Sequence, residues 1–405
     1  MQRYDTYKDS GVKWLGEIPS HWEVLPGLAI FKENKEKNSN LAVNTVLSLS
    51  YGKIVVKKDI DEGLVPAEYN TYQIVHPGYI IIRCTDLQND KVSLRTGLVK
   101  DDGIITGAYL GLVTNGKYNS SFMHYFLHAW DITKEIYRHG NGLRQSLSWL
   151  DLRRLPILIP PIAEQTAIAN YLDTATAKID AAIAQQQKMI DLLNERKQII
   201  INRAVTKGLN PNAKMKDSGV EWIGEVPEGW EVRRLKSMMS IQRGHDLTAD
   251  SFKVGGIPVY GSGGLMGFHN QKTSKAPSIV IGRSGSVGKL HYIEEDFWAH
   301  NTAIYLTDNK GNCVKYLYYL LSSIELSSLA TQTAVPTLDR KNVLDYCVPV
   351  SLDVSEQSGI VKYLDEHLAT INDVISNKNK QISLLQERKQ IIINEVVTGK
   401  VRVTN

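Results

Sequence analysis

The sequence predicts an α+β fold written twice: two α/β domains joined by two long antiparallel helices that pair as a coiled coil, a pseudo-two-fold internal repeat. Three observations predict it. KDSGVKWLGEIPSHWEV at Lys8 returns as KDSGVEWIGEVPEGWEV at Lys216, with twelve of seventeen residues identical. LLNERKQIIIN at Leu192 returns as LLQERKQIIIN at Leu384, ten of eleven identical. Around both of the latter runs an apolar stripe with a mean step of about 3.6 residues, the period of one helix face. Each copy therefore holds an opening motif, a middle domain and a long helix. The divisions fall at 1–160, 161–207, 208–352 and 353–405.

The stripe of the first helix includes Ile168, Leu172, Ile179, Ile183, Leu193 and Ile200; that of the second includes Ile360, Leu364, His367, Ile371, Ile375, Leu385 and Ile392. Neither stripe can be buried by its own helix, so each helix is expected to pair with the other. Pro160-Pro161 opens the first helix and KGLNPN from Lys207 closes it. The second opening, VPVSLDVSEQ, lacks the double proline. In the middle domains, PGYIIIR (77–83) and PSIVIGR (277–283) read as equivalent strands. GAYLGLV and TAIYLT read as further strands, and SSFMHYFLHAW and VKYLYYLLSSIELSSL as helices.

Composition excludes several classes of function. No apolar run approaches the roughly 18 residues that span a bilayer, and MQRYDTYKDSGVKW lacks the apolar middle of a signal peptide. The chain is expected to stay in the cytoplasm and off membranes. Cys84, Cys313 and Cys347 are too few and too scattered for a disulfide framework or a zinc site. The net charge of +4 permits a nucleic-acid partner without requiring one.

Catalytic motifs fail on spacing. GRSGSVGKL at Gly282 has one residue too many for a phosphate loop, and Leu290 stands where a Ser or Thr would hold magnesium. His124 and His128 lack the glutamate of a metalloprotease helix. Glu195-Arg196-Lys197, repeated at Glu387, has the E-x-K of some metal-dependent nucleases. Both lysines, however, fall on the inward stripe, where charges set helix register or meet a partner. The chain is expected to catalyse nothing and to bind no cofactor or metal.

Binding chemistry is better represented. The candidates for nucleic-acid contact are Arg83, Lys91, Arg95, Tyr109 and Arg144 in the first domain, and Arg243, His245, Arg283, Ser284, Lys289, Asn301 and Lys341 in the second. Arg reads guanine and Asn reads adenine through paired hydrogen bonds, while Lys and Ser hold the backbone. Arg83 and Arg283 stand out, because each closes one of the equivalent strands. Trp14, Trp22, Trp222 and Trp230 recur with the opening motif and are read as packing.

The opening SGVxWxGExPxxWEV, the divergent middles and IPPIAEQTAIANYLD at Ile159 resemble the specificity (S) subunit of type I restriction–modification systems. The resemblance covers essentially the whole chain, and DGIITGAYLGL and IPVYGSGGLMG look like its target recognition domains. It implies that each domain reads half of a bipartite, asymmetric site in double-stranded DNA. It further implies docking of two methyltransferase (M) subunits and of restriction (R) subunits, which would use S-adenosylmethionine, ATP and Mg²⁺. The alternative is a nuclease or methyltransferase fused to its own recognition domains.

Overall fold

A computed structural model describes residues 2–57, 69–90, 92–139, 145–248 and 255–403. The helices are α1 (Ser120–Ile132), α2 (Trp149–Leu152), α3 (Ile162–Lys207), α4 (Val314–Ser322), α5 (Arg340–Asp345) and α6 (Val354–Val397). The chain divides into two units, one of residues 1–186 and 380–405, the other of residues 187–379. Each unit thus contains one middle domain, the start of one long helix and the end of the other.

Helices α3 and α6 carry 46 and 44 residues with no internal proline. Ile168, Leu172, Ile179, Ile360, Leu364 and Ile371 are buried, and Ile183, Leu193, Ile200, Ile375, Leu385 and Ile392 are half-buried. The predicted stripe is therefore the covered face. One member departs from it. His367 is exposed and stacks on Tyr363 at 4.0 Å, while the neighbouring Leu368 takes the buried place. An imidazole there would give up its water, whereas the leucine loses nothing polar.

Within each unit the helix segments run antiparallel. Ile168 and Leu172 share a core with Ile393, Val396 and Val397 in one unit. Ile201, Ala204 and Val205 share a core with Ile360, Leu364 and Leu368 in the other. The repeated lysines lock this arrangement. Lys389 Nζ donates to Asp180 at 2.6 Å, and Lys197 Nζ donates to Asn372 at 2.6 Å. These two bonds are the same bond made once per copy. Gly208 (φ +68°) and Gly399 (φ +75°) close the two helices in the left-handed conformation that glycine adopts without strain. Where the second helix lacks the double proline, Asp353 caps it by accepting from Ser355 N at 2.8 Å.

The other repeated residues clamp each domain to the first turns of its helix. Trp22 Nε1 donates to Glu164 at 3.2 Å, and Trp230 Nε1 to Glu356 at 3.0 Å. The next residue, Gln165, accepts from Asn119 N at 3.0 Å, and its counterpart Gln357 accepts from Cys313 N at 2.9 Å. Two turns on, Tyr125 donates to Asp173 at 2.7 Å, and Tyr319 to Asp365 at 2.5 Å. Asn119 and Cys313 are the N-caps of α1 and α4, so each glutamine takes up an N–H at the start of the domain's helix. Trp22 and Trp230 also pack on the helix-closing glycines, Gly399 and Gly208 respectively. The opening motif therefore wedges between the start of its own copy's helix and the end of the other's.

Each middle domain is built on a four-stranded antiparallel sheet of the same order. In the first it runs Phe31–Glu33, Leu110–Thr114, Ile80–Ile82, Thr96–Leu98. In the second it runs Ser240–Arg243, Ala303–Asp308, Ser278–Gly282, Leu290–Ile293. The apolar runs read as equivalent strands do occupy equivalent places, and Ile80, Ile81 and Ile82 are fully buried. The helix expected over VKYLYYLLSSIELSSL ends at Ser322. The hydroxyls of Ser322 and Ser323 bond back to Tyr318 O and Leu320 O, a local competition that weakens continuation.

Ile179→Asp and Ile371→Asp each place a carboxylate on the covered face and should cost about 3 kcal/mol or more. The matched Ile→Val controls should cost about 1 kcal/mol. Equilibrium urea unfolding of the four variants measures this.

Candidate nucleic-acid interface

Register shows which end of each sheet is free to differ. Ile82 faces Leu110 and Ile80 faces Leu112, so the strand ending at Arg83 finishes where the central strand begins. That central strand then runs towards Asn119 and the Gln165 clamp. In the second domain Gly282 faces Ala303, and the central strand runs towards Cys313 and the Gln357 clamp. The loops after Ile82 and Gly282 therefore lie at the sheet end away from the clamp in both copies. They are also built differently.

The second-domain loop is a glycine turn inside an antiparallel hairpin, not a strand-to-helix phosphate loop. A side chain at Gly282 would run into Ser286 O, so the loop folds flat on itself. Arg283 N and Ser284 N donate to Thr302 O at 2.9 and 3.2 Å, and Leu338 N donates to Arg283 O at 2.8 Å. The backbone of Arg283 is thus pinned on both sides. Among the described residues its guanidinium has no partner, which leaves a half-exposed cation on a fixed backbone. Lys289 Nζ ties this loop to the neighbouring hairpin through Gly263 O at 3.0 Å.

Alongside, Asp246 gathers Arg243 (3.4 Å) and the Asn301 amide. His245 bridges His300 through the backbone and meets Tyr305 OH at 3.2 Å. Lys341 is exposed on α5, three residues beyond the Leu338 that holds Arg283. The structure thus brings Arg243, His245, Arg283, Ser284, Lys289 and Asn301 to one end of the second domain, with Lys341 beside them.

The first domain requires corrections. Lys91 and Arg144 lie outside the described residues. Arg95 is fully buried, and every one of its five guanidinium N–H groups is taken. Nε donates to Tyr137 OH at 3.2 Å, and Nη1 to Arg83 O and Thr85 O at 3.2 and 2.8 Å. Nη2 donates to Asp86 O at 3.1 Å and to Asp90 O. Arg95 has no donor left for DNA. Tyr109 is half-buried, with its ring packed against the small core around Leu47, Val75 and Ile81. Arg83 is half-exposed and ion-paired with Asp90 at 3.2 Å. Asp90 is held by the N–H groups of Ser93 and Val92, which keep its carboxyl down at about 2.

The two histidines of α1 are neighbours, with ring centroids 5.8 Å apart. Burial pushes His124 down to about 4 and His128 down to about 3, and His128 Nδ1 meets Thr96 Oγ1 at 3.1 Å. Among the described residues no group of three or more His, Cys, Asp or Glu side chains could hold a metal ion. No described helix is long and apolar enough to cross a membrane.

Sequence reasoning missed four exposed residues on the long helices. Leu192 (50% exposed) matches Leu384 (62%), and Ile199 (59%) matches Ile391 (47%). The signal was present in the repeated eleven residues, which carry apolar side chains on both faces although only one face is needed for pairing.

Residues 227–384 match the Type I restriction modification DNA specificity domain. The chain is 28% identical over 280 residues to the Type I restriction enzyme MjaVIII specificity subunit of Methanocaldococcus jannaschii, covering 62% of this chain and 63% of that protein. It is 25% identical to the Putative type I restriction enzyme MjaX specificity subunit of the same organism, covering 98% of both. The first alignment thus spans less than two thirds of the relative, the second nearly all of it. A solved chain, from work on complex assembly and conformational transition of the type I R-M system, has the same fold. Its TM-score is 0.68 at 14% identity, over 95% of this chain and 99% of that one. The fold is one domain type built twice, and residues of the second copy carry the match to the specificity domain. Over nearly its whole length the chain is similar to the type I restriction enzyme specificity subunits.

The histidine pair makes a pH prediction. In the unfolded chain both imidazoles take a proton near pH 6.5, whereas the folded domain resists protonation until about pH 4. The unfolded state therefore binds more protons between these values, and stability present above pH 6.5 is lost as pH falls. Each histidine contributes at most about 1.4 kcal/mol per pH unit. Melting between pH 7 and 5 should fall more steeply for the wild type than for His124→Asn/His128→Asn.

Proposed function

We propose that the chain reads a bipartite, asymmetric sequence in double-stranded DNA, one half-site per domain, and catalyses nothing itself. The observation that carries this reading is the contrast within each domain. The clamping tryptophan, glutamate, glutamine, tyrosine and aspartate are the same in both copies, while the far end differs in sequence and in construction. A shared base with two different ends suits two different half-sites. The fused nuclease or methyltransferase has no support. Lys197 and Lys389 of the E-x-K runs are spent on Asn372 and Asp180.

Chemistry then falls to partner subunits, which would supply S-adenosylmethionine, ATP and Mg²⁺ sites, in the cytoplasm where their DNA lies. The repeated exposed pairs support docking of two copies of one methyltransferase subunit, with restriction subunits added to that core. Leu192 with Ile199, and Leu384 with Ile391, are seven residues apart on one helix and so share a face. An apolar step displayed twice at equivalent positions suits one partner bound twice.

Two measurements test these statements. Exchanging residues 25–158 for those of a relative should change one half-site in a methylation map and leave the other intact; a change in both removes the division of labour. Leu192→Asp/Ile199→Asp should reduce the bound methyltransferase from two copies to one by native mass spectrometry. Retention of two copies would show that these faces are not the docking sites.

A further inference from the structure

We propose that the segment 83–90 is the base-reading element of the first domain, with Gln88 and Arg83 as its specificity-determining side chains and the buried Arg95 as the positioning residue. This rests on the DNA-reading assignment above and adds the residues that carry it. The loop occupies the same place as the Arg283 loop, at the sheet end away from the clamp. A protein surface that must recognise bases needs side chains held in place before contact, since every rotamer frozen on binding costs affinity.

Arg95 supplies that order. Its five N–H groups collect the carbonyls of Arg83, Thr85, Asp86 and Asp90 and the Tyr137 hydroxyl, so the loop is wrapped around one internal cation. Asp131 receives Arg95 N at 2.6 Å and fixes the far end of the wrap. Leu87 is buried, which turns its neighbour Gln88 outward.

Gln88 is exposed, and among the described residues its amide has no partner. A side-chain amide presents one donor and one acceptor in a plane, the pattern that pairs with N6 and N7 of adenine in the major groove. Asn89, by contrast, spends its amide on the neighbouring Asp86, to which it donates at 2.8 Å. Arg83 is braced by Asp90, whose other oxygen is fixed by the Ser93 and Val92 amides. A guanidinium braced on one edge keeps its remaining N–H groups aimed, as guanine recognition needs.

The test uses the chain assembled with its methyltransferase subunits and a randomised duplex library, sequenced after selection. Gln88→Ala should lower the preference at one base pair of the first half-site by about 5- to 150-fold and leave the second half-site unchanged. Arg95→Lys retains the charge but replaces five N–H groups in a planar fork with three on a single nitrogen. It should lower the preference at that same base pair with Gln88 untouched, and add nothing there when combined with Gln88→Ala. A role for Arg95 in stability alone would instead weaken the whole first half-site, and the combined variant would lose more.

If Gln88→Ala selects the wild-type site with undiminished preference, or weakens binding evenly over all sequences, Gln88 does not read a base and the proposal is wrong. Relaxation in both half-sites overturns it as well. A wild-type complex that selects no sequence removes the DNA-reading assignment itself, an outcome distinct from the failure of Gln88.

Discussion

Everything positional in this protein depends on how the first three turns of each long helix grip the domain that precedes them. Glu164 and Glu356 take an indole N–H, Gln165 and Gln357 take up an amide at the start of the domain's helix, and Asp173 and Asp365 take a tyrosine hydroxyl. Two of the three bonds on each helix are to carboxylates, and hydrogen bonds to charged groups are worth about 1.5–3 kcal/mol each, more than neutral ones. Three in a row on one helix face hold a domain in orientation as well as in place. This grip is why the glutamate–glutamine pair and the YLD triplet recur at the same offset in both copies.

With the clamp given, the divergence of the middle domains becomes intelligible. A sheet held at one end can carry almost any loop at the other, provided its own core survives. The first domain uses this freedom to wrap a loop around a buried arginine, the second to fold a glycine turn flat against its neighbour. The lysine bridges act similarly on the helices. Asp180 accepts both Lys389 and, at 2.9 Å, Lys53 from the first domain, whereas its counterpart Asn372 meets Lys197. One position in the repeat has thus kept its hydrogen bond while its charge differs between copies.

Much of the fold was legible beforehand because regular elements report their buried face through periodicity. The helix stripes, the equivalent strands at Ile80 and Ser278 and the end of the first helix at Gly208 all follow from pattern. His367 was misassigned because a stripe read at a fixed step cannot choose between adjacent residues; the cost of burying an imidazole chooses Leu368. The candidate interface was less legible. Arg83 and Arg283 sit at equivalent strand ends as their motifs suggest, yet one is braced by a carboxylate and the other has no partner among the described residues.

The sequence by itself determined that the protein is one plan used twice, that each copy ends in a helix needing a partner, and which residues are common to both. Only the tertiary structure decided what the divergent residues do. Arg95 looks in sequence like any basic residue near a strand, and it proves to be the most deeply satisfied cation in its loop. The reason is physical. Periodic burial leaves a trace in sequence, but the satisfaction of a buried charge depends on where irregular carbonyls point, and no spacing rule records that.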